Sequence, residues 1–217
     1  EVDLSDMSDF LNWVDKLDGG GVTREEFLSD YPVIWLGRLI DVESGLAIHI
    51  LESLQKGLGV EDILSQDWVA SALKERKSRQ AELNQAISQN MQVVDRLAIV
   101  RMEDAGMRSN GYRITAIAGD SCDACVVVHG DVGASFGDEE QYPVSASFYT
   151  NSFLHTEGGL YDLTQLATKF DPDGGGHANA CGCRIQPIED GERVERQVEI
   201  EDIDRNLEVW LAMWAER

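Results

Sequence analysis

GGGHANACG, residues 174–182, is the stretch on which the fold of this chain turns. Three successive glycines allow backbone conformations closed to other residues and let a ligand approach the peptide groups without a Cβ in the way. His177 ends the run, and Ala178 to Ala180 suit the first turn of a helix. Exposed N–H groups in such a bend form an anion-binding concavity, and a helix starting near His177 would add unpaired N–H groups and a positive dipole end. Phosphate is the guest this arrangement suits, with His177 donating a further hydrogen bond. The plain alternative is a flexible turn with no ligand.

The flanks read as alternating elements. PVSASFYTN (143–151) is a strand, YDLTQLATKF (161–170) a helix with Leu163, Leu166, Ala167 and Phe170 on one side, and CRIQPI (183–188) and VERQVEI (194–200) late strands. Upstream, LAIVRM (97–102), YRITAIAG (112–119) and ACVVVHG (124–130) are short, rich in β-branched residues and separated by turn formers, as sheet strands should be. Ile203, Leu207, Trp210, Leu211 and Trp214 close the chain at helical spacing.

The first hundred residues carry the helical period. Met7, Phe10, Leu11, Val14 and Leu17 form one short amphipathic helix that Gly19–Gly21 break, and Thr23 with Glu26 has the spacing of a capping box. Val33 to Leu54 reads as one helix despite Gly37 and Gly45, and the longest helix runs from Asp67 into the low nineties. Its KERKSR run, residues 74–79, reads as a solvated face, with nothing aromatic interleaved. The fold class is therefore α/β: a helical N-terminal connector over residues 1–95, then a compact mixed-sheet domain flanked by helices over 96–217.

Forty acidic against eighteen basic residues give a net charge of -22, which opposes broad capture of long nucleic acid or an anionic membrane, so an anionic ligand must be held locally. No run is long enough for a membrane span, and the start lacks a secretory signal, so the expected location is cytoplasmic. The first residue is not methionine, which leaves open a processed form or the remainder of a longer chain. Cys122 and Cys125 have a C-x-x-C spacing, but Cys181 and Cys183 have one intervening residue and depart from common zinc spacings. Reduced, buried cysteines are the expectation. The tryptophans fall on helical faces and read as packing. Ser121, Asp123 and His129 form no recognisable nucleophile motif.

The frame PVSASFYTN, YDLTQLATKF, DPDGGGHANACGCRI resembles the DHH-associated domain at the C-terminal end of DHH-family phosphoesterases. That family includes RecJ-type exonucleases, nano-RNases, cyclic-dinucleotide phosphodiesterases and exopolyphosphatase-like proteins. The resemblance implies a strand, a helix, a GGGH turn, a short helix and a returning strand. It also implies that Gly174, Gly175, Gly176 and His177 bind the substrate phosphate. Gly182 matches the small residue that closes the motif, and Cys181 stands where relatives often have alanine. Two departures bear on substrate choice: DPD precedes the glycines, and SFYTN lacks an arginine that many relatives carry, with Tyr149 near its place.

The family's hydrolysis resides in an N-terminal domain whose aspartates and Asp-His-His triplet hold two metal ions, usually manganese. Here His49, His129, His155 and His177 are scattered and no two are adjacent. WVDKLDG (13–19) resembles the tail of that catalytic domain in the exopolyphosphatase-like branch, which would make Asp18 a last surviving metal ligand; the alternative is a polar helix terminus at Asp15 and Asp18. The resemblance thus implies the substrate-binding part of a metal-dependent phosphoesterase, inactive alone. Its substrate would be a short phosphate ester: oligonucleotide, cyclic dinucleotide, nucleotide bisphosphate or polyphosphate. The alternative is a non-catalytic nucleotide- or phosphate-binding module. The implied partners are a short phosphorylated molecule or oligonucleotide, no membrane, and a catalytic DHH domain upstream or in trans, with a homodimer among the arrangements open to it.

Overall fold

The computed structural model describes residues 8–40, 44–130 and 144–217, so Met7 and Pro143, read above as parts of a helix and a strand, lie outside the described residues. Two compact units divide the chain, Glu1–Glu82 and Leu83–Arg217. The division comes earlier than residue 95 because the last turns of the long helix, at Leu83 and Ile87, pack into the core of the second unit.

Helices α1 (Ser8–Asp18), α2 (Arg24–Leu28), α3 (Pro32–Ile40), α4 (Ser44–Gln55) and α5 (Val60–Ser65) make up the first unit with most of α6 (Asp67–Asn90). The span from Val33 to Leu54, read as one helix, is two, α3 and α4. Thr23 and Glu26 form the expected capping box, each side chain bonding the other's backbone N–H. Leu36, Leu39, Ile50, Ile63 and Val69 form the core of this unit, drawn from α3, α4, α5 and α6. No helix among the described residues is long and apolar enough to cross a membrane.

The second unit is built on a six-stranded mixed sheet: β1 (Met91–Val94), β2 (Leu97–Met102), β3 (Ala124–Gly130), β4 (Val144–Thr150), β5 (Gly175–His177) and β6 (Ala180–Arg184), in the order β1-β2-β3-β4-β6-β5. Among the described strands only β2 and β3 run parallel, and a parallel pair needs a crossover. That crossover is α7 (Gly111–Ala118), in the stretch read above as a strand. Asn110 caps it by accepting a hydrogen bond from the backbone N–H of Arg113, at 3.1 Å. β-branched Ile114, Thr115 and Ile117 gave the strand signal, yet Ile114 and Thr115 are fully buried, so packing overrides propensity.

Alternation sends the strands' side chains to two cores. On one face Leu97, Ile99, Val126, Ala146, Phe148, Cys181 and Cys183 meet Leu163, Leu166 and the closing helix α9 (Glu201–Ala215), where Trp210 stands edge-on to Phe148 at 4.9 Å. On the other, Ala98, Val100, Cys125 and Val127 meet Ile114 of α7 and Ile87 of α6. The stretch 161–170 holds only a four-residue helix, α8 (Thr164–Ala167), and VERQVEI is not a strand. A two-stranded ribbon, β7 (Ile188–Glu189) with β8 (Glu192–Arg193), precedes it. Buried Asp202 organises residues 194–200 instead, accepting from Arg196, Arg205 and the backbone N–H of Glu199.

Candidate functional site

The glycine run does not lead into a helix. Gly175, Gly176 and His177 are β5, paired antiparallel with β6 through Gly175 to Gly182, Gly176 to Cys181 and His177 to Ala180. Ala178 and Asn179 make the hairpin turn, so the helix start expected at His177 is absent. The physical reason is the return strand: Ala180–Arg184 pairs with β4 as well, which leaves two residues for the reversal and no room for a helical turn. Gly176 must be glycine, since its φ is +138° and a Cβ there would stand 2.7 Å from the Ala180 carbonyl oxygen. β5 is the last strand of the sheet, so backbone groups along its outer edge face away from any described strand. A sheet edge thus stands where a helix end was expected.

The register decides what lies beside His177. His177 is level with Ala180, Tyr149 and Cys125 across β5, β6, β4 and β3, and cross-strand partners share a face. The next row holds Gly175, Gly182, Ser147 and Val127, and the one beyond it Arg184, Ser145 and His129. Over β4, β6 and β5 this face is therefore a floor of serine, glycine and alanine, with Tyr149, His177, His129 and Arg184 at its margins. Glycines 174 and 175 are half-buried, Gly176 and His177 exposed. The run forms open surface, outside the cavities described below.

Tyr149 is held against the start of α7. Its ring lies so close to Gly111 that a Cβ there would come within 2.2 Å of it, and it meets Tyr112 at 5.7 Å between centroids. Burial raises the pKa of its hydroxyl, as do nearby Cys125 and Tyr112, so the group stays a neutral donor. His129 is nearly fully buried, and among the described residues its Nδ1 has no partner; burial, and then the charge of Arg108, pulls its pKa down to about 4, against a hydrogen bond with the Ser109 backbone.

The hairpin that carries His177 is pinned at its turn by β4 and by the segment that follows it. The Asn179 carbonyl accepts from the Thr150 backbone N–H at 2.9 Å, its side-chain Oδ1 from the Gly159 N–H at 2.9 Å, and the Ala178 carbonyl from the Leu163 N–H at 3.0 Å. Asp171 and Asp173, the acidic residues of the DPD departure, clasp the other end. Buried Asp171 accepts from the Arg184 backbone N–H at 2.8 Å and from its Nε at 2.9 Å, and Asp173 from the same guanidinium at 2.6 Å. Burial pushes the Asp171 carboxyl up, but the Arg184 side chain and N–H hold it below the usual range. Asn179, Ser147 and the Asp171–Arg184 clasp were not among the residues singled out from the sequence. Their roles depend on strand register, for which no local pattern is a signal.

The other singled-out residues lie elsewhere. Asp123, buried at the start of β3, accepts from Arg96 and lies 2.9 Å from Nε2 of His155; mainly through Arg96, its pKa is pulled down to about 2. All four cysteines are buried, and no disulfide joins them. Burial pushes the Cys181 thiol up to about 12, which makes it an inert packing residue. Asp18 is exposed at the end of α1, beside Val14, Leu17 and Arg38 along a groove. Among the described residues no three of His, Cys, Asp or Glu gather as a metal ion requires. The described residues therefore do not fit a dinuclear metal centre, and no chemical step is assigned to one.

No family model matches the chain, and no curated protein matches it in sequence. Solved structures do match in fold. A pGpG-specific phosphodiesterase, PggH, from Vibrio cholerae superposes with a TM-score of 0.73 at 18% identity over 96% of this chain and 66% of that one. An exopolyphosphatase-related protein from Bacteroides fragilis aligns over 95% of this chain and 56% of that one, at 17% identity and a TM-score of 0.42. The chain thus spans just under two thirds of the phosphodiesterase and has its fold.

Proposed function

We propose that this chain is the substrate-binding part of a DHH-family phosphoesterase acting on short phosphate esters. The observation that carries the reading is the Gly175–His177 edge strand, whose Gly176 and His177 are exposed and whose His177 is level with Tyr149 on the face that also holds Ser147, Gly182 and Ala180. A side-chain-free strand lets a phosphate reach backbone N–H groups, His177 donates from the same face, and the serine hydroxyls add donors. A pinned hairpin keeps these donors in place before the ligand arrives, which is how binding groups gain over water.

Hydrolysis would come from an upstream or separate domain holding manganese, since the described residues assemble no metal site. Asp18 would join that centre only with ligands from such a domain. The fold shared with a pGpG-specific phosphodiesterase favours a linear dinucleotide with a 5′ phosphate among the candidate esters. Compactness of ligand fits the charge of -22, which would repel the overhanging phosphates of a long strand. The second reading, a binding module without catalysis, rests on the same lack of gathered metal ligands; an Asp-His-His segment upstream in the reading frame would decide against it.

His177→Ala separates a working imidazole from an ornamental one. Titration calorimetry with a 5′-phosphorylated dinucleotide is expected to show affinity reduced about tenfold, the scale of one charge-assisted hydrogen bond, with the melting temperature unchanged because the side chain is exposed. Equal affinity in both proteins would remove His177 from the site.

A further inference from the structure

We propose that the helical unit holds a second ligand site, for a nucleoside monophosphate, in the cavity lined by Trp68, His49, Arg76 and Arg79. The cavity measures about 410 Å³, within the range of small-molecule sites. Leu39 and Ala72 form its apolar wall. Trp68 is 41% exposed, and His49 meets it edge to face at 5.1 Å, so aromatic surface is left on which a base can stack.

The cationic side comes from the KERKSR run on α6, where Arg76 and Arg79 are three residues apart and so neighbours on one helix face. Arg79 meets Glu75, which also lines the cavity, at 2.5 Å; the pair is exposed and therefore weak enough to give way to a ligand. Arg76 differs. Among the described residues its Nε is buried without a hydrogen-bond partner, and no carboxylate lies within ion-pair distance of it. Arg38 adds a like charge close by, and its own protonated form is disfavoured first by burial and then by Arg76. A buried donor left unpaired is costly, and the repulsion between Arg38 and Arg76 is opposed by Asp30 only on the Arg38 side. A phosphate monoester answers both, because the planar guanidinium fork matches its oxygens. Base on Trp68 and phosphate on Arg76 describe a mononucleotide rather than bare phosphate.

The site shares no residue with the glycine–histidine surface, so the two can fail separately. Guanosine 5′-monophosphate is titrated calorimetrically into the wild-type chain, Arg76→Met, Trp68→Leu and His177→Ala, with the fold of each checked by thermal melting. The expected result is binding by wild type and His177→Ala alike, weakened at least about tenfold in Arg76→Met and in Trp68→Leu. Guanosine and inorganic phosphate alone should each bind at least about tenfold more weakly than the nucleotide. Binding lost in His177→Ala but kept in Arg76→Met would assign the nucleotide to the other surface and overturn this site. Failure of the wild type to bind at millimolar nucleotide would overturn it outright. Should Arg76→Met melt early, Arg79→Met and Trp68→Leu carry the same test.

Discussion

Gly176 shows how much one backbone position can hold. At φ +138° it has the Ala180 carbonyl and the Cys181 Cα against it, so Gly176→Ala forces strain worth about 2 kcal/mol, visible as a lower denaturant midpoint. Gly175 has open space where a Cβ would go, though its φ of +150° also favours glycine. The two glycines thus do different work, one packing under the return strand and one leaving room above the sheet. His129 brings a pH dependence. Its imidazole is held neutral, with a pKa of about 4 in the fold against 6.5 for an ordinary histidine. Between those values the unfolded chain binds the extra proton, so the contribution to stability is full above pH 6.5 and is lost progressively as pH falls toward 4. Chemical denaturation at a series of pH values should show this slope in the wild type and a flatter one in His129→Gln.

At the scale of elements, α7 is where sequence pattern and structure part. Ile114, Thr115 and Ile117 carry the β-branched signature of a strand, but a parallel β2–β3 pair cannot be closed without a crossover. Asn110 was the available local signal: it precedes the helix and its side chain accepts from the Arg113 N–H. Asn110→Ala should cost about 1 kcal/mol in denaturant unfolding, as loss of a helix cap does. The same lesson holds at β5, where Ala178–Ala180 look like helix formers and form a turn and the start of a return strand because β6 must pair on both sides. Elements with strong periodicity, α1, α6, β3, β4 and α9, were legible from the residues alone. The candidate site was legible in its glycines and His177, whereas the company they keep, Ser147, Ala180 and Gly182, depends on register between strands distant in sequence.

For the molecule as a whole, charge and surface point the same way. Under the proposed function, a chain of net charge -22 with backbone N–H groups on a sheet edge and an imidazole and hydroxyls on the adjoining face would select a compact anion while repelling an extended one. That face lies wholly within the Leu83–Arg217 unit, which has its own two cores. Amide chemical-shift mapping of the full chain during titration with a 5′-phosphorylated dinucleotide tests most directly whether a ligand uses it. The expected result is shifts concentrated at Gly175, Gly176 and His177, with Ser147 and Tyr149 following. A saturating titration that leaves those amides unmoved while others shift, or that moves none, would contradict a phosphate site on this edge.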